Sequence, residues 1–144
     1  MRNWFYGLFG KRPQPLQVAA LCTRKQGGKT EVLLITSRGT GRWIIPKGWP
    51  MKGRSLAGAA AQEAWEEAGV RGKTSPKALG IYHYDKVLDN GVATPVEVVV
   101  FRLKVESVEK RYPEVQQRKR DWFAPVKAAT LVDEEGLRRI LRDL

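Results

Sequence analysis

One segment of the chain, residues 56–68, constrains the fold most, because its two ends and its composition agree on a helix. Ser55 is a residue type that accepts a backbone N–H at a helix start, and Gly69 suits the left-handed backbone that commonly ends a helix. The segment between them, LAGAAAQEAWEEA, is rich in alanine, the strongest helix former, and offers small faces for close packing. We therefore predict a helix from Leu56 to Ala68 that packs tightly against strands.

Three glutamates lie along this segment at spacings of three and four residues, Glu63, Glu66 and Glu67. At 3.6 residues per turn, the spacing places all three carboxylates on one helical face. Carboxylates this close repel one another unless a cation lies among them, and Mg²⁺ prefers carboxylate oxygens together with water and substrate phosphates. The alternative is a solvated acidic face, which normally carries lysine or arginine four residues away. Only Arg71 is placed to pair with Glu67 in this way, so we predict a metal site for phosphate chemistry.

Strand-like runs lie on both sides of this helix. Apolar and β-branched residues, bounded by turn residues, predict strands at residues 18–24, 31–37, 42–45, 77–85, 94–105 and 120–124. Leucine and isoleucine at helical spacing predict an amphipathic helix within residues 133–144. This order predicts an α/β fold, a mixed β-sheet with the acidic helix on one face and the C-terminal helix on the other.

The stretch from Gly48 to Val70, GWPMKGRSLAGAAAQEAWEEAGV, resembles the signature of the Nudix hydrolases, G-x5-E-x7-R-E-U-x-E-E-x-G-U, in which U is a bulky apolar residue. The opening glycine, the three glutamates and the closing Gly-Val are in register with it. Two positions depart: Arg54 stands where the family has glutamate, and Gln62 where it has arginine. The resemblance implies a Nudix-type α/β/α sandwich over residues 17–144, preceded by an N-terminal appendage of residues 1–16.

The resemblance also implies roles for the matching residues. It makes Glu63, Glu66 and Glu67 the catalytic, metal-binding carboxylates, with the Gly48 carbonyl as a further ligand and Mg²⁺ as the cofactor, Mn²⁺ being the alternative. The sequence leaves open how many metal ions bind and which glutamate acts as the base. In the family, the arginine that Gln62 replaces orients a metal-binding glutamate. We therefore expect a weakened affinity for Mg²⁺ and retained activity.

One branch of the family is the most similar, the diphosphoinositol polyphosphate phosphohydrolases, which also cleave diadenosine polyphosphates. The similarity rests on the segments VLL-x2-SR, RWI-x-PKG and RKRDWF, at residues 32–38, 42–48 and 118–123. Basic residues in these segments contact the substrate phosphates in that branch. By resemblance, the residues that bind substrate here are Ser37, Arg38, Lys47, Arg118 and Arg120.

The charge of the chain supports an anionic partner but does not choose among classes of partner. Lys and Arg total 26 against 15 Asp and Glu, a formal net charge of +11. The favoured function is Mg²⁺-dependent hydrolysis of a phosphoanhydride bond in a small, highly anionic polyphosphate. Two alternatives involve nucleic acid, a module that binds RNA or another polyanion with little catalysis, and a pyrophosphohydrolase of RNA 5′ ends. Neither is favoured, because no aromatic-rich RNA-binding signature occurs and a binding module has no need of three aligned carboxylates.

Several other chemically versatile side chains are predicted to be structural. Trp43 and Trp122 lie in strand-like runs, so core packing is expected before stacking on a base. His83, the single histidine, lies between two tyrosines and is expected to be structural. Glu97 and Glu114 are further candidate metal ligands, each expected to be a surface charge instead.

The location of the protein is constrained weakly by sequence. Cys22, the single cysteine, lies in an apolar run and is predicted to be a buried thiol, and the chain has no run of about 20 apolar residues. Residues 1–16 lack a small-residue cleavage motif, and their aromatic residues are expected to dock on the domain before they contact a membrane surface. These features favour a cytoplasmic protein, and the oligomeric state is left open.

Overall fold

The computed structural model describes residues 14–144, in which the backbone forms eight strands and three helices. The strands are Leu16–Gln26 (β1), Lys29–Thr36 (β2), Trp43–Ile44 (β3), Lys47–Gly48 (β4), Val70–Thr74 (β5), Gly80–Val87 (β6), Ala93–Val108 (β7) and Arg120–Phe123 (β8). The helices are Leu56–Ala68 (α1), Pro125–Leu131 (α2) and Glu135–Arg142 (α3).

The centre of the sheet is a parallel pair, β1 and β7. Their register runs from Leu16 opposite Glu97 to Thr23 opposite Lys104. The first half of β7 also pairs with β6 and its second half with β5, both antiparallel. On the other side, β1 pairs with β4 and β2, and β2 pairs with β3 and β8. The predicted mixed sheet is therefore confirmed.

The two faces of the sheet carry separate hydrophobic cores. Successive side chains of a strand point to opposite faces. Accordingly Val18, Ala20 and Cys22 pack with the buried alanines of α1, whereas Ala19 and Leu21 pack with the apolar residues of α2 and α3. The acidic helix and the C-terminal helix thus cover opposite faces, which confirms the predicted α/β/α arrangement.

Helix α1 has the predicted bounds, and both predicted caps are formed. The Ser55 hydroxyl accepts a hydrogen bond from the backbone N–H of Gly58 at 3.0 Å. Gly69 adopts φ 68°, and its N–H is directed at the carbonyls of Ala64 and Trp65. Because both ends are fixed by local chemistry, the side chains along α1 have a defined rotation about its axis.

Other elements differ from the sequence prediction. Strand β5 and helix α2 were not predicted, and the strand predicted at residues 77–85 spans Gly80–Val87 instead. Helix α3 begins at Glu135, inside the predicted amphipathic segment. The N-terminal appendage predicted at residues 1–16 lies outside the described residues except for its last three positions, and its predicted docking is therefore untested.

The thiol of Cys22 provides a test of the packing between β1 and α1. Cys22 is fully buried in the core that α1 covers, and burial raises the pKa of its thiol to about 12. Since the thiolate is the reactive species, we expect the native protein not to react with an aromatic disulfide reagent at pH 8. Labelling should appear only at urea concentrations that unfold the chain. Stoichiometric labelling of the native protein would contradict this packing.

Candidate active site

A cleft of about 590 Å³ opens where the loop after β2, strand β4, helix α1 and the end of β6 meet. Strand β4 is short, but its pairing with β1 fixes it, because Val18 lies opposite Gly48 and Ala19 opposite Lys47. The chain then runs from β4 into α1, so the carboxylates of the helix lie next to this strand. The cleft is lined by Gln17, residues 37–40, Arg42, Ile44, residues 47–49, Glu63, Glu67, residues 84–87, Glu114 and Arg118.

Most of the predicted site residues meet in this cleft, although they come from distant parts of the chain. Those that line it are Ser37, Arg38, Lys47, Gly48, Glu63, Glu67 and Arg118. The other two predicted residues, Glu66 and Arg120, do not line it. The cleft therefore combines acidic side chains of α1 with basic side chains from the loop between β2 and β3, from β4 and from the loop before β8.

Glu63 and Glu67, one helical turn apart, form the acidic centre of the cleft. Both side chains line the cleft, and Glu67 is buried. Burial, together with the neighbouring carboxylate, raises the pKa of Glu63 to about 8, and burial raises that of Glu67. Without a cation the charged forms of both carboxylates are therefore disfavoured. Glu67 also accepts a hydrogen bond from the backbone N–H of Lys47 at 3.3 Å and lies 3.8 Å from the Arg118 guanidinium.

The donor set of this pair fits a hard divalent cation. A cation beside two buried carboxylates favours their charged forms, and both then offer oxygen ligands. Gly48 lies directly against this pair, and a Cβ there would displace the Glu63 carboxylate from its position. Within residues 14–144, no three acidic, histidine or cysteine side chains are already gathered as a complete ligand shell. Backbone oxygen, water or substrate would have to supply the remaining ligands.

Glu66 is held by a hydrogen bond from Gln62, one helical turn away on α1. The Gln62 amide donates a hydrogen bond of 2.7 Å to the Glu66 carboxylate. This is the position at which the family signature has arginine, so the contact to Glu66 is made here by a neutral amide. The predicted part of Glu66 in metal binding stays a prediction.

Arg118 is the basic residue most closely tied to the acidic centre. Its side chain is only 8% exposed, and its Nε donates to Glu114 at 2.9 Å while Nη1 donates to the Thr36 carbonyl at 3.1 Å. Glu114 lines the cleft and is 19% exposed, so the expectation that it is a surface charge was wrong. Nothing in its local sequence distinguished it, because the loop that carries it meets α1 only in the fold.

Arg120 occupies a different environment from Arg118, two residues away. Its guanidinium donates to the carbonyls of Ala68 at 2.6 Å and Glu109 at 2.8 Å, and it lies over the ring of Tyr112. It therefore satisfies backbone acceptors at the end of α1, outside the cleft. This position gives it a structural contact and does not support the predicted contact with substrate.

The loop between β2 and β3 forms one wall of the cleft and is internally braced. The Ser37 hydroxyl pairs with that of Thr40 at 2.7 Å and accepts from the backbone N–H of Arg42 at 3.2 Å. Arg38 donates to the Gln117 side chain at 3.0 Å, which joins this loop to the one that carries Arg118. The predicted substrate residues Ser37 and Arg38 are thus held in a defined wall.

Lys47 lies in the floor of the cleft over an aromatic ring. Its ammonium is 5.1 Å from the centroid of Tyr84, and burial lowers the pKa of Lys47 to about 8. The Tyr84 hydroxyl donates to Gln17 at 2.6 Å, and burial raises the pKa of Tyr84 to about 12. Neither Tyr84 nor Gln17 was predicted as a site residue. For Gln17 there was a usable signal, because it is a polar residue inside the apolar run of β1.

The side chains predicted to be structural lie outside the cleft. Trp43 makes an edge-to-face contact with Phe123, with ring centroids 5.1 Å apart. Trp122 packs on the α1 side and stacks with Arg24. The single histidine and Glu97 pair with each other at 3.3 Å on neighbouring strands, both partly exposed. The predictions for the two tryptophans and for Glu97 are confirmed.

Comparison with known proteins identifies the family. The profile of the NUDIX domain matches residues 13–144, and the chain belongs to the Nudix hydrolase family. It is 34% identical over 107 residues to human diphosphoinositol polyphosphate phosphohydrolase 3-beta, a match that covers 74% of this chain and 62% of that protein. It is 29% identical over 118 residues to the mitochondrial Nudix hydrolase 12 of Arabidopsis thaliana, covering 80% of this chain and 58% of that protein. The matches therefore span less than two thirds of these relatives.

Solved structures support the fold. A binary complex of the Ap4A hydrolase of C. elegans superposes with a TM-score of 0.64 at 22% identity, covering 88% of this chain and 92% of that one. The MutT protein of Methanosarcina mazei superposes with a TM-score of 0.65 at 20% identity, covering 91% and 92%. No helix within residues 14–144 is long and apolar enough to cross a membrane.

Proposed function

We propose that this protein is a Mg²⁺-dependent hydrolase of a phosphoanhydride bond in a small, highly anionic substrate, such as a diadenosine polyphosphate or a diphosphoinositol polyphosphate. The observation that carries the proposal is the pairing of Glu63 with Glu67 in a cleft whose other walls carry Arg38, Lys47 and Arg118. A diphosphate carries several negative charges. A metal ion held by the carboxylates would neutralise charge at one end of it, and the basic side chains would do so at the other. The relatives named as phosphohydrolases of such compounds agree with this class of substrate.

In this proposal each cleft residue has a distinct task. Glu63 and Glu67 hold the cation, with the Gly48 carbonyl as a further ligand and Glu66, oriented by Gln62, as the third carboxylate. When bound, Mg²⁺, or Mn²⁺ in its place, neutralises charge on the diphosphate and makes a water more acidic. Arg118 and Arg38 offer planar N–H groups to phosphate oxygens, as bidentate pairs where the geometry permits. Between the two candidate bases, Glu67 is better placed to accept a proton than Glu66, which does not line the cleft.

The test is product formation from a panel of substrates with Mg²⁺ or Mn²⁺, with nucleotides, sugar phosphates, pyrophosphate and orthophosphate resolved by ion-exchange chromatography. The panel holds diadenosine polyphosphates, diphosphoinositol polyphosphates, nucleotide sugars and triphosphorylated RNA. Each is run with the wild type, with Glu67→Gln and with Glu97→Gln, a matched control whose exposed carboxylate lies outside the cleft. Turnover of one class, lost only in Glu67→Gln, supports the proposal. No turnover of any class would refute it.

A basic groove elsewhere supports the second candidate function, binding of RNA or another polyanion. This groove, about 360 Å³, is lined by Thr23, Arg24, Lys25, Arg102 and Lys104, with Val105 at its edge. Phosphate backbones bind such surfaces by releasing counterions, so the binding would weaken steeply with salt. Salt-sensitive RNA binding without hydrolysis would favour this candidate over the hydrolase. We favour the hydrolase because the groove contains no paired carboxylates.

The contact between Gln62 and Glu66 leads to a prediction about how activity depends on the Mg²⁺ concentration. Substituting Gln62→Arg should strengthen the hold on Glu66, because a charged donor replaces a neutral one over the same short distance. We expect the Mg²⁺ concentration for half-maximal activity to fall by about tenfold, the lower end of effects seen for groups that orient metal ligands. The double variant Arg54→Glu/Gln62→Arg restores both family residues. It should lower the Mg²⁺ concentration for half-maximal activity at least as much.

The matched control is Gln62→Leu, which removes the donor and keeps the size of the side chain. It should raise the half-maximal Mg²⁺ concentration. If Gln62→Arg leaves the Mg²⁺ titration unchanged, the orienting role of this position is wrong.

A further inference from the structure

Glu134 is a buried carboxylate that the proposed mechanism does not use. It lies immediately before α3, and its side chain is only 8% exposed. One oxygen, Oε2, accepts a hydrogen bond of 2.8 Å from Nη1 of Arg42. The other oxygen, Oε1, is buried and has no hydrogen-bond partner within the described residues. Burying an unsatisfied carboxylate oxygen costs about 1–3 kcal/mol or more, so stability alone does not explain a carboxylate at this position.

Arg42 is the partner of Glu134, and it lines the cleft. Its backbone is fixed by two hydrogen bonds with Ser37, one to the hydroxyl at 3.2 Å and one from the backbone N–H at 2.8 Å. A guanidinium has five N–H donors. Within residues 14–144 the side chain of Arg42 makes one hydrogen bond, to Glu134, and a longer contact of 3.8 Å to the exposed Asp133. Most of its donors are therefore uncommitted at the cleft wall.

The ion pair with Glu134 affects the entropy that the Arg42 side chain loses when it binds a ligand. A free arginine side chain loses about 2 kcal/mol of rotamer entropy when it is immobilised on a ligand. An ion pair made before binding removes part of that loss, which is the general advantage of preorganisation. The arrangement also differs from that of Arg118, whose Nε and Nη1 are already bonded to Glu114 and the Thr36 carbonyl.

We propose that Arg42 binds a phosphate group of the substrate in the cleft, and that Glu134 is the positioning residue that holds its guanidinium there. The proposal rests on the proposed function for the choice of a phosphate ligand. It adds a contact that the sequence analysis did not assign, and it connects the C-terminal helix to the binding of substrate through one ion pair. Arg42 contacts the ligand directly, and Glu134 acts only through Arg42.

The test uses binding, so that it does not depend on turnover. Inorganic tripolyphosphate is titrated into the metal-free full-length protein, and its dissociation constant is measured by calorimetry for the wild type, Arg42→Ala, Glu134→Gln, Glu134→Ala and the double variant Arg42→Ala/Glu134→Ala. We expect Arg42→Ala and Glu134→Ala each to weaken binding by about tenfold, the size of one charge-assisted hydrogen bond to phosphate. Glu134→Gln, which keeps an acceptor oxygen, should lie between these and the wild type.

The double variant separates positioning from stability. If Glu134 acts through Arg42, adding Glu134→Ala to Arg42→Ala should weaken binding no further. An additive loss, or unchanged binding in Glu134→Ala and Glu134→Gln, would overturn the proposal. Glu135→Gln and Arg139→Ala are matched controls on α3 with exposed side chains, and they should bind like the wild type.

A kinetic measurement completes the test on whichever substrate the panel identifies. Glu134→Gln should raise KM several-fold and change kcat by less than about twofold, because it affects ground-state and transition-state binding alike. A loss of kcat with unchanged KM would contradict the positioning role. The wild-type protein could hydrolyse no substrate of the panel and still give the expected tripolyphosphate affinities. In that case the proposed function fails and the phosphate contact of Arg42 survives.

Discussion

Substituting Glu67→Gln is expected to lower kcat by more than about 100-fold, on whichever substrate the wild type hydrolyses. Even residues that only orient a metal ligand commonly cost 10–100-fold, and Glu67 is proposed to be a ligand itself. It is buried beside Glu63, accepts the Lys47 N–H and lies near Arg118. The measurement is the steady-state rate of product formation at saturating Mg²⁺.

The same variant should keep its stability, which separates loss of chemistry from loss of fold. Burial raises the pKa of Glu67 above its ordinary value, so the charged form is disfavoured in the folded state. Charge at this position therefore destabilises the fold at pH above the ordinary pKa, and a neutral amide removes that penalty. We expect the melting temperature of metal-free Glu67→Gln to equal or exceed that of the wild type. A large drop would mean that the carboxylate is structural.

Substituting Gly72→Ala is expected to lower the free energy of unfolding by about 3 kcal/mol or more. Gly72 follows an irregularity in the pairing of β5 with β7, between Arg71 and Gly72. A Cβ at this position would overlap the backbone carbonyl of Lys104 and lie 2.8 Å from a methyl group of Leu103. A backbone atom of a central strand cannot move aside as a side chain can, so the effect should exceed ordinary overpacking. Urea denaturation measures it.

Gly39→Ala is the matched control for this substitution. A Cβ at Gly39 has no heavy atom within 4 Å, and its backbone is not left-handed, so its stability should change by less than about 0.5 kcal/mol. If Gly72→Ala unfolds at the same urea concentration as the wild type, β5 does not pair with β7 as described.

The sequence was most informative where structure is determined by local chemistry. The bounds of α1 follow from Ser55 and Gly69, each of which acts within one turn of the helix. Val96, Val98 and Val100 alternate along β7, within the strand predicted at residues 94–105, and are fully buried. In these regions, residues close to one another in the sequence determine the local structure.

The sequence was least informative where an element depends on distant contacts. Strand β5 has the sequence VRGKT, with one buried residue, and it exists because β7 offers it a partner. Helix α2 has seven residues and no side-chain cap, so its packing on β2 and α3 stabilises it more than its own sequence does. Neither pattern distinguishes these segments from loops.

The candidate site shows the same division. The pairing of Glu63 with Glu67 follows from helical spacing, whereas the spacing did not show that Glu66 would bond to Gln62 and not line the cleft. Arg118 and Arg120 have similar local sequences, yet one meets α1 at the cleft and the other at the helix end. Only the fold determines which arginine lies at which place.

The parallel pair at the centre of the sheet has a consequence for synthesis on the ribosome. Strand β1 is made early, but its partner β7 lies about eighty residues later in the chain. Contacts so distant in sequence form slowly, because a long loop must close before they stabilise anything. Until residues 93–108 have left the exit tunnel, the apolar run Val18–Cys22 lacks its central partner and is exposed to chaperones and to other nascent chains.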